Sequence, residues 1–179
     1  MHEGRVLYAG HDHVHVLRYV GDVRHPLAAS VSGFVDSLLQ RIDADDLVVD
    51  LSDAEAIDST NLGEIARIAD RLNERCGKRA AIISPRPEIS QVLYSMAFDE
   101  VFDICTETAD GEGRPPKTPF GGDPIPDVGA SRERALCVIL AAHRRLMEMS
   151  EKNREQFAEV VELMERELES APSEPDVRV

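Results

Sequence analysis

Residues 55–72 read EAIDSTNLGEIARIADRL, and Asp58, Ser59 and Thr60 place one carboxylate and two hydroxyls where an apolar helical pattern begins. A helix start needs one side-chain oxygen to accept from its unpaired N–H groups, and each of the three can serve. Two of those oxygens are surplus to capping. A serine at a helix N-terminus also stands where free N–H groups and the macrodipole favour an anion. Plain capping is the commonest use of hydroxyls such as those of Ser59 and Thr60.

Other reactive residue types form weaker patterns. His11, His13 and His15 alternate, so on a strand they would share one face and could meet a transition metal. No cysteine or carboxylate cluster completes such a site. The expectation is a solvent-facing edge strand, with no metal and no other cofactor. Cys76, Cys105 and Cys137 are odd in number, far apart and without a C-x-x-C pair, which points to three reduced thiols rather than a zinc ribbon or disulfide framework. A serine hydrolase would need a base beside Ser59, yet no histidine lies near it in sequence, and Ile57-Asp58 stands where a G-x-S-x-G elbow would have its glycine. Neither a P-loop nor a dinucleotide fingerprint occurs. The chain is therefore expected not to be an enzyme. Arg67, Arg71 and Arg75 recur every four residues, as an ordinary solvated face pairing with Asp70 and Glu74 would.

Composition narrows the partners. Over 179 residues, 42 % are hydrophobic but only 4 % aromatic, with no Trp, so the core should be aliphatic and base-stacking along single strands is disfavoured. A net charge of −14 argues against nucleic acid and anionic membranes, and favours partners that present basic residues. The longest apolar run, ALCVILAA at 135–142, is too short to span a bilayer, and MHEGRVLYAG has no signal-peptide core. A cytoplasmic location is expected.

The elements that must position the motif follow from periodicity. Residues 5–9 and 14–20 read as strands. A helix begins at Pro26 with Leu27, Val31, Phe34, Leu38 and Ile42 at helical spacing, and 47–51 is a buried strand. The helix after the motif carries the stripe Leu62, Ile65, Ala69, Leu72 and Cys76 and ends at Gly77. Strand 79–84, a short helix over 88–96 and strand 100–104 complete a β-β-α-β-α-β-α-β order, which predicts parallel crossovers with helices packed on a sheet. Residues 106–130 hold five prolines and five glycines and are expected to be a weakly ordered linker. Residues 131–170 contain neither, and Leu136, Leu140, His143, Met147, Ser150, Arg154, Phe157, Val161, Met164 and Leu168 follow heptad spacing. One long or gently broken helix is favoured there over a hairpin bending near 150–153 with Asn153 as cap. It would either pack back on the first domain, residues 1–105, or join two copies; the heptads mildly favour a homodimer through 131–170. The tail, 171–179, should be disordered.

The stretch LVVDLSDAEAIDSTNLGEIARI, residues 47–68, resembles the signature of STAS domains, in which a buried strand and an Asp-Ser-[Ser/Thr]-Gly-x-Gly-type turn lead into a helix. Asp58, Ser59, Thr60, Leu62 and Gly63 fit, while Asn61 stands where a glycine is usual. The likeness covers residues 5 to about 105. It implies an α/β fold with a STAS-like mixed sheet packed with helices, here followed by a C-terminal helical extension. It also implies an anti-sigma-factor antagonist whose unphosphorylated form binds a serine kinase that doubles as the anti-sigma factor. Phosphorylation of the residue at the Ser59 position, an exposed hydroxyl, would break that complex, and a serine phosphatase would restore it. Asp58 would orient the loop, Thr60, Asn61, Leu62 and Gly63 would complete the docking surface, and Asp58 and Glu64 would add repulsion. A constitutive scaffold or ligand-sensing module without phosphate chemistry is the competing expectation.

Overall fold

A computed structural model describes residues 2–11, 14–41, 46–106, 122–127 and 129–170. His13, Ile42, residues 107–121 of the expected linker and the tail 171–179 lie outside the described residues. Two strands, β1 (Arg5–His11) and β2 (Val14–Val23), form an antiparallel hairpin, and α1 (Pro26–Arg41) leads to β3 (Asp46–Ile57). Then follow α2 (Ser59–Cys76), β4 (Ala80–Ile83), α3 (Pro87–Ser95), a 3₁₀ turn (Phe98–Glu100) and β5 (Phe102–Cys105). The sheet is mixed, in the order β5-β4-β3-β2-β1 with β2 through β5 parallel, as β-α-β crossovers allow. Its core is aliphatic: Leu17, Val49, Leu51, Ile65, Leu72 and Ile82 are fully buried, with Tyr19, Phe98 and Phe102 the largest rings among them.

Strand β3 runs well past the apolar run at 47–51 that suggested it. Beyond Leu51 it keeps pairing with β2, Asp53 against Val20 and Ile57 against Val23, through two register shifts. Ladder hydrogen bonds rather than side-chain apolarity extend it, and they carry the chain directly to the motif. The Asp58 N–H then donates to the Val23 carbonyl at 3.2 Å. At its far end α2 stops as expected: Gly77 adopts φ 68° and its N–H reaches the Asn73 carbonyl at 2.7 Å.

Part of the expected linker is ordered. Asp123–Pro124 forms β6, antiparallel to Leu7 and Tyr8 on the β1 edge, and Ile125 donates to the Val6 carbonyl while its side chain is buried. A proline is tolerated there because an edge strand can leave a donor position vacant.

The C-terminal region is a hairpin, not one long helix. Helix α4 (Arg132–Met149) breaks at Ser150, whose backbone is extended, and α5 (Glu151–Ser170) turns back along it. Ser150, not Asn153, is the cap: its Oγ accepts from the Asn153 N–H at 3.2 Å. Asn153 is instead fully buried, and its amide donates to the carbonyls of Leu146 and of Met96 at the end of α3, both at 3.0 Å. The heptad positions Leu140, His143, Phe157 and Val161 are buried within this chain, and Leu146, Met149 and Phe157 belong to the same apolar cluster as the sheet. The hairpin has thus packed back on its own domain. No helix among the described residues is long and apolar enough to cross a membrane.

His15 also departs from expectation. It is buried, and its Nδ1 lies 2.8 Å from the Tyr8 hydroxyl, with the two rings stacked. The side chains of His11 and His13 lie outside the described residues, and no group of three or more potential metal ligands occurs among those described.

Candidate functional site

At the β3–α2 junction the division of labour among the three oxygens is clear. Asp58 holds extended geometry, and its Oδ1 accepts from the Asn61 N–H at 3.0 Å and from the Asn61 side-chain amide at 2.9 Å. The carboxylate is the cap, and the asparagine that replaces the usual glycine closes the loop back on it. Ser59, as the first helical residue, is left with a hydroxyl that capping does not use.

That hydroxyl has a partner from far along the chain. Ser59 Oγ lies 3.0 Å from Nε2 of His143 on α4. The other ring nitrogen, Nδ1, is 2.8 Å from the Ile139 carbonyl, which can only accept, so Nδ1 carries a proton. In the neutral ring Nε2 is then the acceptor and Ser59 donates to it. His143 is itself buried and meets Phe157 of α5 edge-on, with centroids 5.2 Å apart. Ser59 is therefore half-buried beneath α4 rather than openly exposed.

The other motif residues are more deeply covered. Thr60, Asn61, Leu62 and Gly63 are all buried. A Cβ on Gly63 would come within 2.3 Å of the Ala142 carbonyl oxygen and 2.6 Å of its carbon, so backbone meets backbone where α4 crosses α2. Only glycine permits that approach. One turn further along, Arg145 grips Asp70 with two parallel N–H···O contacts, the Nη2–Oδ1 one at 2.8 Å. Of the motif residues named from the sequence, Ser59 and Gly63 meet α4 directly, whereas Leu62 belongs to the apolar core. His143, Arg145 and Asn153 gave no local signal of these contacts; His143 read only as one of the heptad positions.

Glu64 and the arginines are arranged otherwise than expected. Glu64 is fully buried, facing inward from α2, with Oε2 2.7 Å from Arg67 and Oε1 3.1 Å from Arg71. Arg71 also reaches Asp36 and Ser32 on α1, while Arg75 donates to the Leu39 carbonyl. These arginines join α1 to α2 instead of forming a solvated face, and Asp70 pairs across to α4 rather than with them. Burial pushes the Glu64 carboxyl above its ordinary value against the pull of Arg67 and Arg71. Being inside, Glu64 does not present the surface charge expected of it.

Comparison with known proteins accords with this architecture. A family model for the STAS domain matches residues 6–111. Among curated proteins no match is found. The NMR structure of the protein TM1081 is 26 % identical, with a TM-score of 0.51 over 59 % of this chain and 83 % of that one. Its crystal structure, from Thermotoga maritima, gives 27 % identity and a TM-score of 0.50 over 55 % and 84 % of the two chains. The crystal structure of an anti-sigma factor antagonist from Mycobacterium paratuberculosis shares the fold at 20 % identity, with a TM-score of 0.52 over 61 % and 91 %. Strand β6 and the α4–α5 hairpin lie beyond the matched residues. With its mixed sheet, its capped β3–α2 junction and a family match over most of residues 1–111, the chain belongs to the STAS domain family.

Proposed function

We propose that this chain is a phosphorylation-controlled protein-binding switch of the anti-sigma-factor-antagonist type, with Ser59 as the acceptor. The observation that carries the reading is that the Asp58 carboxylate caps α2, leaving the Ser59 hydroxyl at the helix start for other chemistry. The likeness to an anti-sigma factor antagonist supports it. In the modifying step a kinase transfers the terminal phosphoryl of a nucleoside triphosphate to Ser59 Oγ. The new O–P bond forms as the bond to the diphosphate breaks, and the hydroxyl proton passes to a base of the kinase. The added charge at the first helical residue is tolerated by the local N–H groups but expels a partner fitted to an uncharged surface. The partners are a serine kinase that doubles as the anti-sigma factor and a serine phosphatase, in the cytoplasm. The chain itself performs no catalysis.

The Ser59–His143 contact favours a second reading, a serine nucleophile with His143 as its base. Two features weigh against it. Asp58 is engaged with Asn61 rather than orienting His143, and the open pocket of about 750 Å³ that is lined by His2, Asp22, His25 and Asp127 does not have Ser59 in its lining.

Capture of partners from the native host separates the switch from a constitutive scaffold. Ser59→Ala should retain a protein identified by mass spectrometry as carrying a serine-kinase ATP-binding domain, and Ser59→Asp should retain at least about tenfold less of it. Equal recovery on both variants would point to the scaffold.

A further inference from the structure

We infer that the α4–α5 hairpin is a built-in occupant of the docking face on α2, and that negative charge on Ser59 releases it. The inference rests on the reading of Ser59 as the switch residue, and adds how this chain regulates access to that site.

The hairpin covers the side of α2 that carries Ser59, Gly63 and Asp70. Thr60, Asn61 and Gly63 are buried, and the Ala142 carbonyl lies where any side chain on Gly63 would stand. The contact is directional as well as apolar: Ser59 donates to His143, Asp70 is gripped by Arg145, and the Asn153 amide fastens the hairpin turn to the Met96 carbonyl. All of these anchors on the hairpin belong to residues beyond the STAS match. The sheet, α1, α2 and α3 make the family fold, and this chain has added a lid tailored to its motif.

Two occupants therefore compete for one uncharged face. A partner can reach Ser59 only when the hairpin has lifted, so its apparent affinity is reduced by the fraction of molecules that are open. A phosphate on Ser59 cannot share the 3.0 Å gap with His143 Nε2, and α4 backbone closes the space above Gly63. The charge that expels the partner expels the lid too. The modified chain is open and unbound, while the unmodified chain is divided between the closed form and the partner complex. Apolar residues on the hairpin's inner side, Leu146 and Met149, are uncovered on opening, so release is local rather than free of resistance.

Hydrogen exchange on the full chain tests this without any partner or kinase. Ser59→Glu and, independently, Arg145→Glu, which opposes Asp70, should each speed exchange of α4 amides by about tenfold or more, while β2, β3 and β4 amides keep their wild-type rates. Ser59→Ala should leave α4 protected. Unchanged α4 exchange in both charged variants would overturn the inference, as would a rise that spreads equally through the sheet, since the hairpin would then be part of one cooperative unit. Either failure leaves the switch reading standing, because that is read by the differential capture on Ser59→Ala and Ser59→Asp.

Discussion

Replacing Gly63 by alanine is expected to lower thermal stability and dislodge α4, although alanine is the better helix former. In mid-helix the substitution alone should contribute about 1 kcal/mol of stability. Against it stands a Cβ placed 2.3 Å from the Ala142 carbonyl oxygen, on a backbone atom that cannot rotate aside. Overpacking costs about 1–3 kcal/mol where side chains can yield, and here only displacement of a whole helix relieves it. The net effect should be a loss of about 2 kcal/mol in thermal or urea unfolding, with faster amide exchange in α4. A rise in Tm, as an open helix surface would give, contradicts the close crossing of α2 and α4.

The larger stability change is expected at Glu64. Alanine there removes a fully buried carboxylate and leaves the guanidinium groups of Arg67 and Arg71 facing each other across the gap. Breaking one side of a buried ion pair costs about 3–5 kcal/mol, and because both arginines are partly exposed the loss should fall near 3 kcal/mol. The urea midpoint at neutral pH measures it; an unchanged midpoint would show that the cluster contributes nothing. The same carboxyl predicts a pH signature. Its folded-state pKa is raised by burial, so just above the ordinary glutamate value the folded chain holds a proton that the unfolded chain has released. This group's contribution to stability therefore falls as pH rises through that window. Subtracting a Glu64→Gln profile from that of the wild type isolates the slope.

Much of the fold was legible because it is locally encoded. The stripe of Leu62, Ile65, Ala69 and Leu72, the glycine at 77 and the apolar runs at 47–51 and 79–84 mark their elements by period and punctuation, and those elements form where they were read. What was illegible depends on non-local partners. Residues 52–57 carry acids and alanines that no strand pattern favours, yet pairing with β2 makes them strand. Heptad spacing at Leu140, His143, Phe157 and Val161 is the same whether the face meets a second copy or its own domain; here it folds back. A four-residue arginine repeat cannot reveal that Glu64 lies inward beside it, nor can sequence bring His143 to Ser59 across 84 positions. Asn61 looked like a departure from the motif, but its amide on Asp58 turns that departure into part of the cap.

The central claim is that the Ser59 hydroxyl, left unused by the Asp58 cap, carries the regulatory phosphate. Fragment mass spectrometry of the full chain recovered from its native host tests that most directly. The account predicts one phosphate on Ser59, lost in Ser59→Ala and retained in Thr60→Ala. A phosphate located on Thr60 instead, or none on Ser59 under any growth condition, would contradict it.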